Sequence, residues 1–285
     1  PHQYPLVSLI SLSSALGTMG ALGISTLFTR LGFDWRIAFW IGACIAVVGS
    51  IARTRLRETP EFLSMKEKKK LKGKVENIFI TGKKLKKNLL YYFYTDCSCA
   101  LIFYLAFIFF SPILKSFGCS SQDIILHNFF LSIFSVICYA TVIYLVTFIH
   151  PLRILRVRSK FYFLLMLVFP FLVGMCSSQL YVFFLQVLLV IAGGGSIPAD
   201  GIFIKSIIVD KRFTLLTLKY ALSRVVTHIS SAFGLIYLIE WFGYWGLWVI
   251  ALPVSWGYMA AIRHFERLEG LRPSNPDSMA RSQAA

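Results

Sequence analysis

The chain has 285 residues, of which 57% are hydrophobic and only 15% charged, and its mean hydropathy is +0.70. So few polar residues do not cover the surface of a soluble domain of this size, and the composition therefore excludes that class. The formal net charge of +16 must then lie mainly on the loops and ends that flank a bilayer.

Eight long apolar stretches follow one another along the chain. A helix needs roughly 20 apolar residues to cross a hydrocarbon core of about 30 Å, and each stretch meets or approaches that length. The stretches are Leu6–Thr29, Ile37–Ala52, Leu89–Ile113, Ile124–Ile149, Phe161–Ser177, Leu180–Val209, Phe213–Ile239 and Tyr244–Ile262. The sequence therefore predicts an all-α integral membrane protein with eight transmembrane helices.

A strongly basic segment, Arg53–Lys87, separates the second stretch from the third and carries 13 Lys or Arg against four Glu. Because Lys and Arg accumulate in cytoplasmic loops, the segment is predicted to be cytoplasmic, and counting spans places both termini there too. We expect a solvated linker; the alternative is a segment that lies on anionic lipid headgroups. Nucleic-acid binding is not expected, because aromatic residues for base stacking are absent between the charges.

The cysteines and histidines do not form a pattern typical of a metal site. Five of the six cysteines lie inside predicted spans, where a thiol behaves as a small apolar group, and the five histidines are scattered. No Gly-x-Ser-x-Gly, His-Glu-x-x-His or nucleotide-binding motif occurs in a loop. The sequence therefore predicts no metal, no cofactor and no enzyme activity.

The second span is flanked by two motifs, Trp35–Trp40 (WRIAFW) and Arg55–Phe62 (RLRETPEF). Together they resemble the signature around the sixth helix of the major facilitator superfamily, and the ETPEF ending is similar to its metabolite:proton symporter group, which includes proline/betaine and dicarboxylate carriers. Family members have twelve helices in two six-helix bundles, joined by a long cytoplasmic linker.

The resemblance implies a domain organisation in which the chain has no counterpart of the first four helices. Residues 1–57 would form the last two helices of the N-terminal bundle, and residues 58–88 would form the basic linker. Residues 89–263 would form a complete six-helix C-terminal bundle, and residues 264–285 a cytoplasmic tail.

Weaker similarities to the family occur further along the chain. Tyr104 and Phe110 resemble the aromatic face of helix seven that lines the cavity in relatives, with Phe110 where a second Tyr is expected. Gly193–Ala199 is similar to the glycine-rich, Pro-Ala ending of helix ten, where it permits close packing or a hinge. In the turn His150–Arg156, which corresponds to a charge-paired hinge in relatives, Leu stands in place of Asp and Gly. The residues that the resemblance and the helix-end charges assign to gating or structure are Arg36, Arg57, Glu58, Pro60, Glu61, Arg153, Arg156 and Arg212.

Ionisable residues inside spans are candidates for contact with a solute or a proton, because burying them in a bilayer is costly. Asp96 is predicted either to carry a proton or to pair with Lys86 or Lys87. Asp200 is predicted to pair with the next span, or with Lys205 if Gly201 permits a distortion of the helix.

Arg224 and His228 are four residues apart and share one face of the seventh span. Arg224 is predicted either to hold a substrate carboxylate or to neutralise Asp96 or Asp200, and His228 is a candidate proton carrier because of its residue type. With Tyr104 and Phe110, the residues Asp96, Asp200, Arg224 and His228 complete the candidate substrate and proton site.

The predicted function is secondary active transport of a small organic solute, either proline/betaine-like or carboxylate-like, by proton symport with alternating access. The expected partners are the solute, protons and the lipids of a bacterial cytoplasmic (inner) membrane, and the sequence leaves the oligomeric state open. The alternative is a truncated, non-transporting remnant or membrane-interaction protein of the same fold.

Overall fold

A computed structural model describes residues 3–34, 36–55, 78–207 and 212–271, and within these ranges the regular secondary structure is helical throughout. Four of the predicted gating residues (Arg57, Glu58, Pro60 and Glu61) and most of the basic segment lie outside the described residues.

Each predicted apolar stretch overlaps with at least one of the observed helices. Their bounds are α1 Gln3–Arg30, α2 Arg36–Arg55, α3 Ile78–Tyr104, α4 Ser111–Ser116, α5 Ser121–Val146, α6 Pro151–Gly174, α7 Gln179–Ala192, α8 Asp200–Lys205, α9 Arg212–Ile229, α10 Leu235–Phe242 and α11 Leu247–Leu268. Short π-helices, Leu105–Phe109 and Ser230–Gly234, continue α3 and α9, and a 3-10 turn, Gly243–Gly246, joins α10 to α11.

Six continuous helical segments of the described chain are long and apolar enough to cross a membrane. The last of them, Arg212–Leu268, folds back on itself at Gly243–Gly246 and so contains two of the predicted spans. The remaining predicted span contains the shorter apolar helix α7. The described part of the chain is all-helical and has the long apolar helices of an integral membrane protein, as predicted.

Several predicted boundaries are wrong, and two of them have a physical explanation. Helix α6 begins at Pro151, ten residues before the predicted start at Phe161, because the side chain of His150 accepts the amide of Leu152 and proline fits the first helical turn. The predicted span Leu180–Val209 is not one helix, since α7 ends at Ala192 and a loop precedes α8.

The core lies among the helices that follow the basic segment. Helix α3 packs against α9 and α11, α6 packs against α11, and α5 packs against α7. Helix α1 lies along α5, whereas α2 has no buried residue. Arg156 on α6 pairs with the fully buried carboxylate of Glu266 on α11. The turn His150–Arg156 lacks an acidic residue of its own, but it still takes part in an ion pair through Glu266.

The π-helix after α3 has its carbonyl groups satisfied by side chains of neighbouring helices. Gln186 on α7 donates to the carbonyl of Ala106 at 2.6 Å, and Asn128 on α5 donates to the carbonyl of Phe107 at 3.1 Å. Such satisfaction is required inside a bilayer, where water does not reach a carbonyl freed by irregular helix geometry.

Candidate functional site

The loop between α7 and α8 brings irregular backbone into the centre of the bundle. Gly193 and Gly195 have φ angles of +49° and +108°, which favour glycine, and a Cβ on Gly194 would lie 2.6 Å from the backbone carbonyl of Ser98. The amide of Gly195 donates to Ser98 Oγ at 3.1 Å, and Tyr258 donates to the carbonyl of Gly195 at 2.9 Å. Non-helical backbone at membrane depth is tolerated where protein satisfies it and where it lines a cavity.

A cavity of about 510 Å³ lies beside this loop and is lined by residues of α1, α3, α5, α6, α7 and α9. We call it the solute cavity. Its hydroxyl-bearing lining residues are Ser11, Ser14, Thr18, Ser132, Ser135, Tyr139 and Tyr220. Phe103 and Phe107, whose rings stack with centroids 5.2 Å apart, form an apolar part of the wall.

Three basic side chains line the solute cavity: Arg158, Arg224 and His228. The guanidinium of Arg158 lies directly against Gly193, where a Cβ would overlap with it, and its Nη1 donates to the carbonyl of Ile197 at 3.4 Å. Arg224 Nη2 lies 3.8 Å from Cys99 Sγ, and its guanidinium lies 4.9 Å from the centre of the Tyr220 ring.

Neither arginine pairs with a carboxylate in the part of the chain that the structure describes. The Nε atoms of Arg158 and Arg224 are buried and have no hydrogen-bond partner among the described residues. No Asp or Glu lies among the residues that line the solute cavity. Buried guanidinium donors of this kind are suited to an anion that approaches from the cavity.

A second, smaller cavity of about 270 Å³ adjoins the first and holds the acidic side chains; we call it the acidic cavity. Asp96 Oδ2 lies 2.5 Å from Lys219 Nζ, and the same ammonium lies 3.1 Å from the centre of the Tyr92 ring. Asp200 Oδ1 accepts hydrogen bonds from the hydroxyls of Ser196 and Tyr92. The acidic cavity thus contains a buried ion pair and a second carboxylate held by hydroxyl groups.

The two cavities share part of their lining. Cys99, Ile197, Tyr220 and Arg224 line both of them. Among the charged side chains that line the two cavities, Arg224 is the one that lines both. It therefore borders the solute cavity and also the cavity that holds the carboxylates.

The structure brings four of the predicted site residues together. Asp96 and Asp200 line the acidic cavity, His228 lines the solute cavity, and Arg224 lines both. Arg224 and His228, one turn apart on α9, both line the solute cavity.

The expected partners of the carboxylates are different from those observed. Asp96 pairs with Lys219. The predicted partners Lys86, Lys87 and Arg224 do not form this ion pair. Asp200 is held by Ser196 and Tyr92, and Lys219 is the cation of the next span that lines the same cavity.

The two aromatic candidates lie away from these cavities. Phe110 is fully buried and packs edge-on against Phe169, with ring centroids 6.2 Å apart. Tyr104 is half-buried and, like Phe110, is absent from the lining of both cavities. Phe103 and Phe107 contribute the aromatic wall instead.

The remaining predicted gating residues occupy helix ends. Arg36 pairs with Asp34 at 3.2 Å on an exposed turn, and Arg212 donates to the carbonyl of Ile207 at 3.2 Å. Arg153 is exposed near the start of α6, one turn before Arg156.

Arg158 is a site residue that the sequence reasoning missed, because it was assigned to the loop His150–Lys160. Since Pro151 begins the helix, Arg158 lies two turns inside it and reaches the bundle interior. The signal was present in the sequence: Pro151 at a helix start, followed seven residues later by a basic side chain.

Comparison with known families adds an independent line of evidence. Residues 2–88 match the family described as "Sugar (and other) transporter". No curated protein and no solved structure matches the chain. The matched residues contain α1, α2 and the start of α3, and they also contain both motifs that flank the second span. Members of this family are transporters and not enzymes, and the matched residues, less than a third of the chain, are similar to part of such a transporter.

Proposed function

We propose that the chain moves a small organic solute that bears a carboxylate across a membrane, by alternating access around the solute cavity. The observation that carries this proposal is the pair of guanidinium groups, Arg158 and Arg224, on a cavity lined by no carboxylate. A carboxylate bound there would receive charge-assisted hydrogen bonds, which are roughly twice as strong as neutral ones.

The other end of the solute would meet the aromatic wall. Phe103 and Phe107 accommodate an apolar ring or chain, and aromatic faces also attract quaternary ammonium groups. Proline, betaine and 2-oxoglutarate each combine a carboxylate with a small organic body, so all three are suitable test solutes.

Proton symport is the coupling that we propose for this transport. Two carboxylates, Asp96 and Asp200, lie in the acidic cavity next to the solute site, and intramembrane carboxylates are common in proton-coupled carriers. We further propose that the protein resides in a bacterial cytoplasmic membrane with both termini inside, because its basic segments are predicted to lie on that side.

The interrupted span beside the two cavities provides a physical basis for alternating access. The loop Gly193–Ala199 interrupts the span beside both cavities, and discontinuous helices of this kind form the binding sites of many secondary transporters. Solute and proton then favour one arrangement of the helices over the other in proportion to their differential affinity.

The alternative is a protein of the same fold that binds solutes or membrane partners without moving them. The observation that favours it is that no residue of α2 is buried and none lines the solute cavity.

The test is uptake of labelled proline, betaine and 2-oxoglutarate into proteoliposomes that contain the full chain. We expect uptake of at least one compound, a decrease on addition of an uncoupler, and loss of uptake in Arg158→Met. The matched control is Lys160→Met, two residues later on the same helix and exposed. Equal uptake by the two variants would contradict the arginine assignment, and binding without uptake would favour the alternative.

A further inference from the structure

We propose that a third cavity, which lies between α5 and α7, binds a neutral alkylphenol through a hydrogen bond from the phenol hydroxyl to His127 Nδ1. We call it the aromatic cavity. Neither this site nor its ligand depends on the proposed transport, because none of the described residues that line the aromatic cavity lines the solute cavity or the acidic cavity.

The aromatic cavity has a volume of about 760 Å³ and is larger than the solute cavity. The first half of α5, the start of α7 and the turn between α4 and α5 surround it. Four phenylalanine rings form much of its wall, those of Phe117, Phe130, Phe134 and Phe183. Cavities of this size, with mostly apolar walls and a few polar groups, are typical of small-molecule sites.

The imidazole of His127 lies within this aromatic wall. His127, Phe130 and Phe134 follow one another at intervals of three and four residues, which places them on one face of α5. Phe183 on α7 lies edge-on to His127 and to Phe134, with ring centroids 5.2 Å and 5.9 Å apart. An aromatic ligand that enters the cavity would therefore meet both ring faces and ring edges, and either contact is favourable.

The hydrogen bonds of Gln186 determine which nitrogen of His127 carries the proton. The carbonyl of Ala106 only accepts hydrogen bonds, so the Gln186 atom that lies 2.6 Å from it is the amide nitrogen. The amide oxygen of Gln186 then faces His127 Nε2 at 2.5 Å, and Nε2 must be the donor. In the neutral imidazole the other nitrogen, Nδ1, is therefore an acceptor.

Nδ1 of His127 has no hydrogen-bond partner among the residues that the structure describes. Two of the other polar side chains that line the cavity bond to each other, since the Gln179 amide donates to Cys119 Sγ at 3.0 Å. One oxygen of Asp123 accepts the amide and the hydroxyl of Ser120. The group that a ligand must supply to Nδ1 is therefore a hydrogen-bond donor.

A neutral ligand fits the charges of the aromatic cavity better than an ion. No Lys or Arg is present among its lining residues, so an anion would be left without a counter-charge. The carboxylate of Asp123 is exposed at the first turn of α5, where it compensates the positive end of the helix dipole. A cation would gain little from such an exposed group.

A phenol hydroxyl supplies the donor, its ring packs among the phenylalanines, and an alkyl tail fills the rest of the volume. Leu126, Ile133 and Leu180 form the aliphatic part of the wall against which this tail would lie. Burial of each CH₂ group of the tail favours binding.

The first experiment compares 4-butylphenol with 4-butylanisole, in which a methyl group replaces the hydroxyl hydrogen. Equilibrium dialysis of the full chain in nanodiscs measures the Kd, and empty nanodiscs correct for partition into lipid. We expect 4-butylphenol to bind about tenfold more tightly, because one neutral hydrogen bond in an apolar site is worth about that factor. Equal affinity of the two compounds, or no saturable binding of 4-butylphenol, would overturn the proposal and indicate a cavity filled by lipid chains only.

The second experiment removes the acceptor with His127→Gln. The amide nitrogen of glutamine donates to the Gln186 oxygen in place of Nε2, but this side chain has no acceptor at the position of Nδ1. We expect the affinity for 4-butylphenol to fall to that for 4-butylanisole, and the affinity for 4-butylanisole to stay the same. A tenfold preference that survives in His127→Gln would refute the role of Nδ1.

The matched control is His264→Gln. His264 Nε2 also bonds to an amide oxygen, that of Asn88 at 2.9 Å, but His264 is absent from the lining of all three cavities. The preference for 4-butylphenol should be unchanged in this variant. An equal loss of preference in the two variants would show a general effect of histidine replacement and contradict the assignment.

The third experiment locates the bound ligand in the wild type, so it remains decisive if His127→Gln does not fold. Cys119 lines the aromatic cavity, and its alkylation by N-ethylmaleimide is followed by mass spectrometry. We expect 4-butylphenol to slow the alkylation of Cys119 and to leave that of the exposed Cys44 on α2 unchanged. Saturable binding without protection of Cys119 would place the ligand elsewhere and refute the proposal.

Discussion

Lys219 Nζ lies 2.5 Å from Asp96 Oδ2, and the two residues belong to helices α9 and α3 in the interior of the membrane domain. The ammonium also lies over the ring of Tyr92. Since 7% of the Lys219 side chain and 12% of the Asp96 side chain are exposed, both charges are almost entirely removed from solvent. A pair in this position fixes the relative placement of two helices that line the acidic cavity.

Removal of one member of this pair should destabilise the protein more than removal of both. Lys219→Met leaves a buried carboxylate without its cation, and breaking a buried pair in this way typically costs about 3–5 kcal/mol. Lys219→Met/Asp96→Leu removes both charges and should recover most of that loss. The measurement is thermal and denaturant unfolding in detergent, followed by circular dichroism, with the exposed Lys160→Met as control. A double variant no more stable than the single one would contradict the pairing.

The sequence was sufficient to predict the spans because a membrane imposes a minimum apolar length on every helix. Each of the eight stretches contains a helix in the part of the chain that the structure describes. The stretch Leu180–Val209 was predicted as one span, although Gly193–Ala199 resembles a helix ending, and the conformation of the break depends on tertiary partners. Ser98 and Tyr258 satisfy the loop, and they lie far from it in sequence.

The candidate site was predicted less completely than the fold. Composition identifies Asp96, Asp200, Arg224 and His228 as costly intramembrane groups, but it does not state which of them meet. The pairing of Asp96 with Lys219 joins positions 123 residues apart, and no local pattern encodes it. Arg158 was assigned to a loop, because a count of basic residues marks a membrane boundary and does not give the start of a helix.

Gly193 leaves space for the guanidinium of Arg158, and an alanine at this position should displace the guanidinium. We expect Gly193→Ala to raise the Kd for 2-oxoglutarate at least about tenfold, which is equivalent to about 1.4 kcal/mol. Binding is measured by isothermal titration calorimetry of the purified protein.

The matched control for this variant is Gly118→Ala. Both glycines have positive φ angles, +49° and +83°, so alanine costs about 1–2 kcal/mol of backbone strain at either position. Only Gly193 has a side chain in the space of the new Cβ, whereas nothing lies within 4 Å at Gly118. Equal loss of affinity in the two variants would show that strain, and not displacement of Arg158, is the cause.

Gln186 supports the π-helix that forms part of the wall of the solute cavity. Its amide donates to the carbonyl of Ala106 at 2.6 Å, and its oxygen lies 2.5 Å from His127 Nε2. Gln186→Leu should cost roughly 1–3 kcal/mol for each buried polar group that is left without a partner. Thermal unfolding in detergent provides the measurement.

Gln122→Leu is the control for the effect of Gln186, because Gln122 also donates to a backbone carbonyl, that of Thr29, but from an exposed position. We expect little change in this variant, since water replaces the lost hydrogen bond. A loss of stability as large as that of Gln186→Leu would contradict the special role of the buried amide.

His150 makes the start of α6 sensitive to pH. Its side chain accepts the amide of Leu152 at 3.3 Å, and burial lowers the pKa of the imidazole below its ordinary value of about 6.5. Because the folded state binds this proton less tightly than the unfolded state, the stabilisation is fully present above the ordinary pKa and is lost as the pH falls through it toward the folded pKa. We expect the Tm in detergent to fall more steeply between about pH 7.5 and 5.5 in the wild type than in His150→Asn, whose amide oxygen accepts the same hydrogen bond without titrating. Parallel pH profiles for the two proteins would exclude His150 as the group responsible.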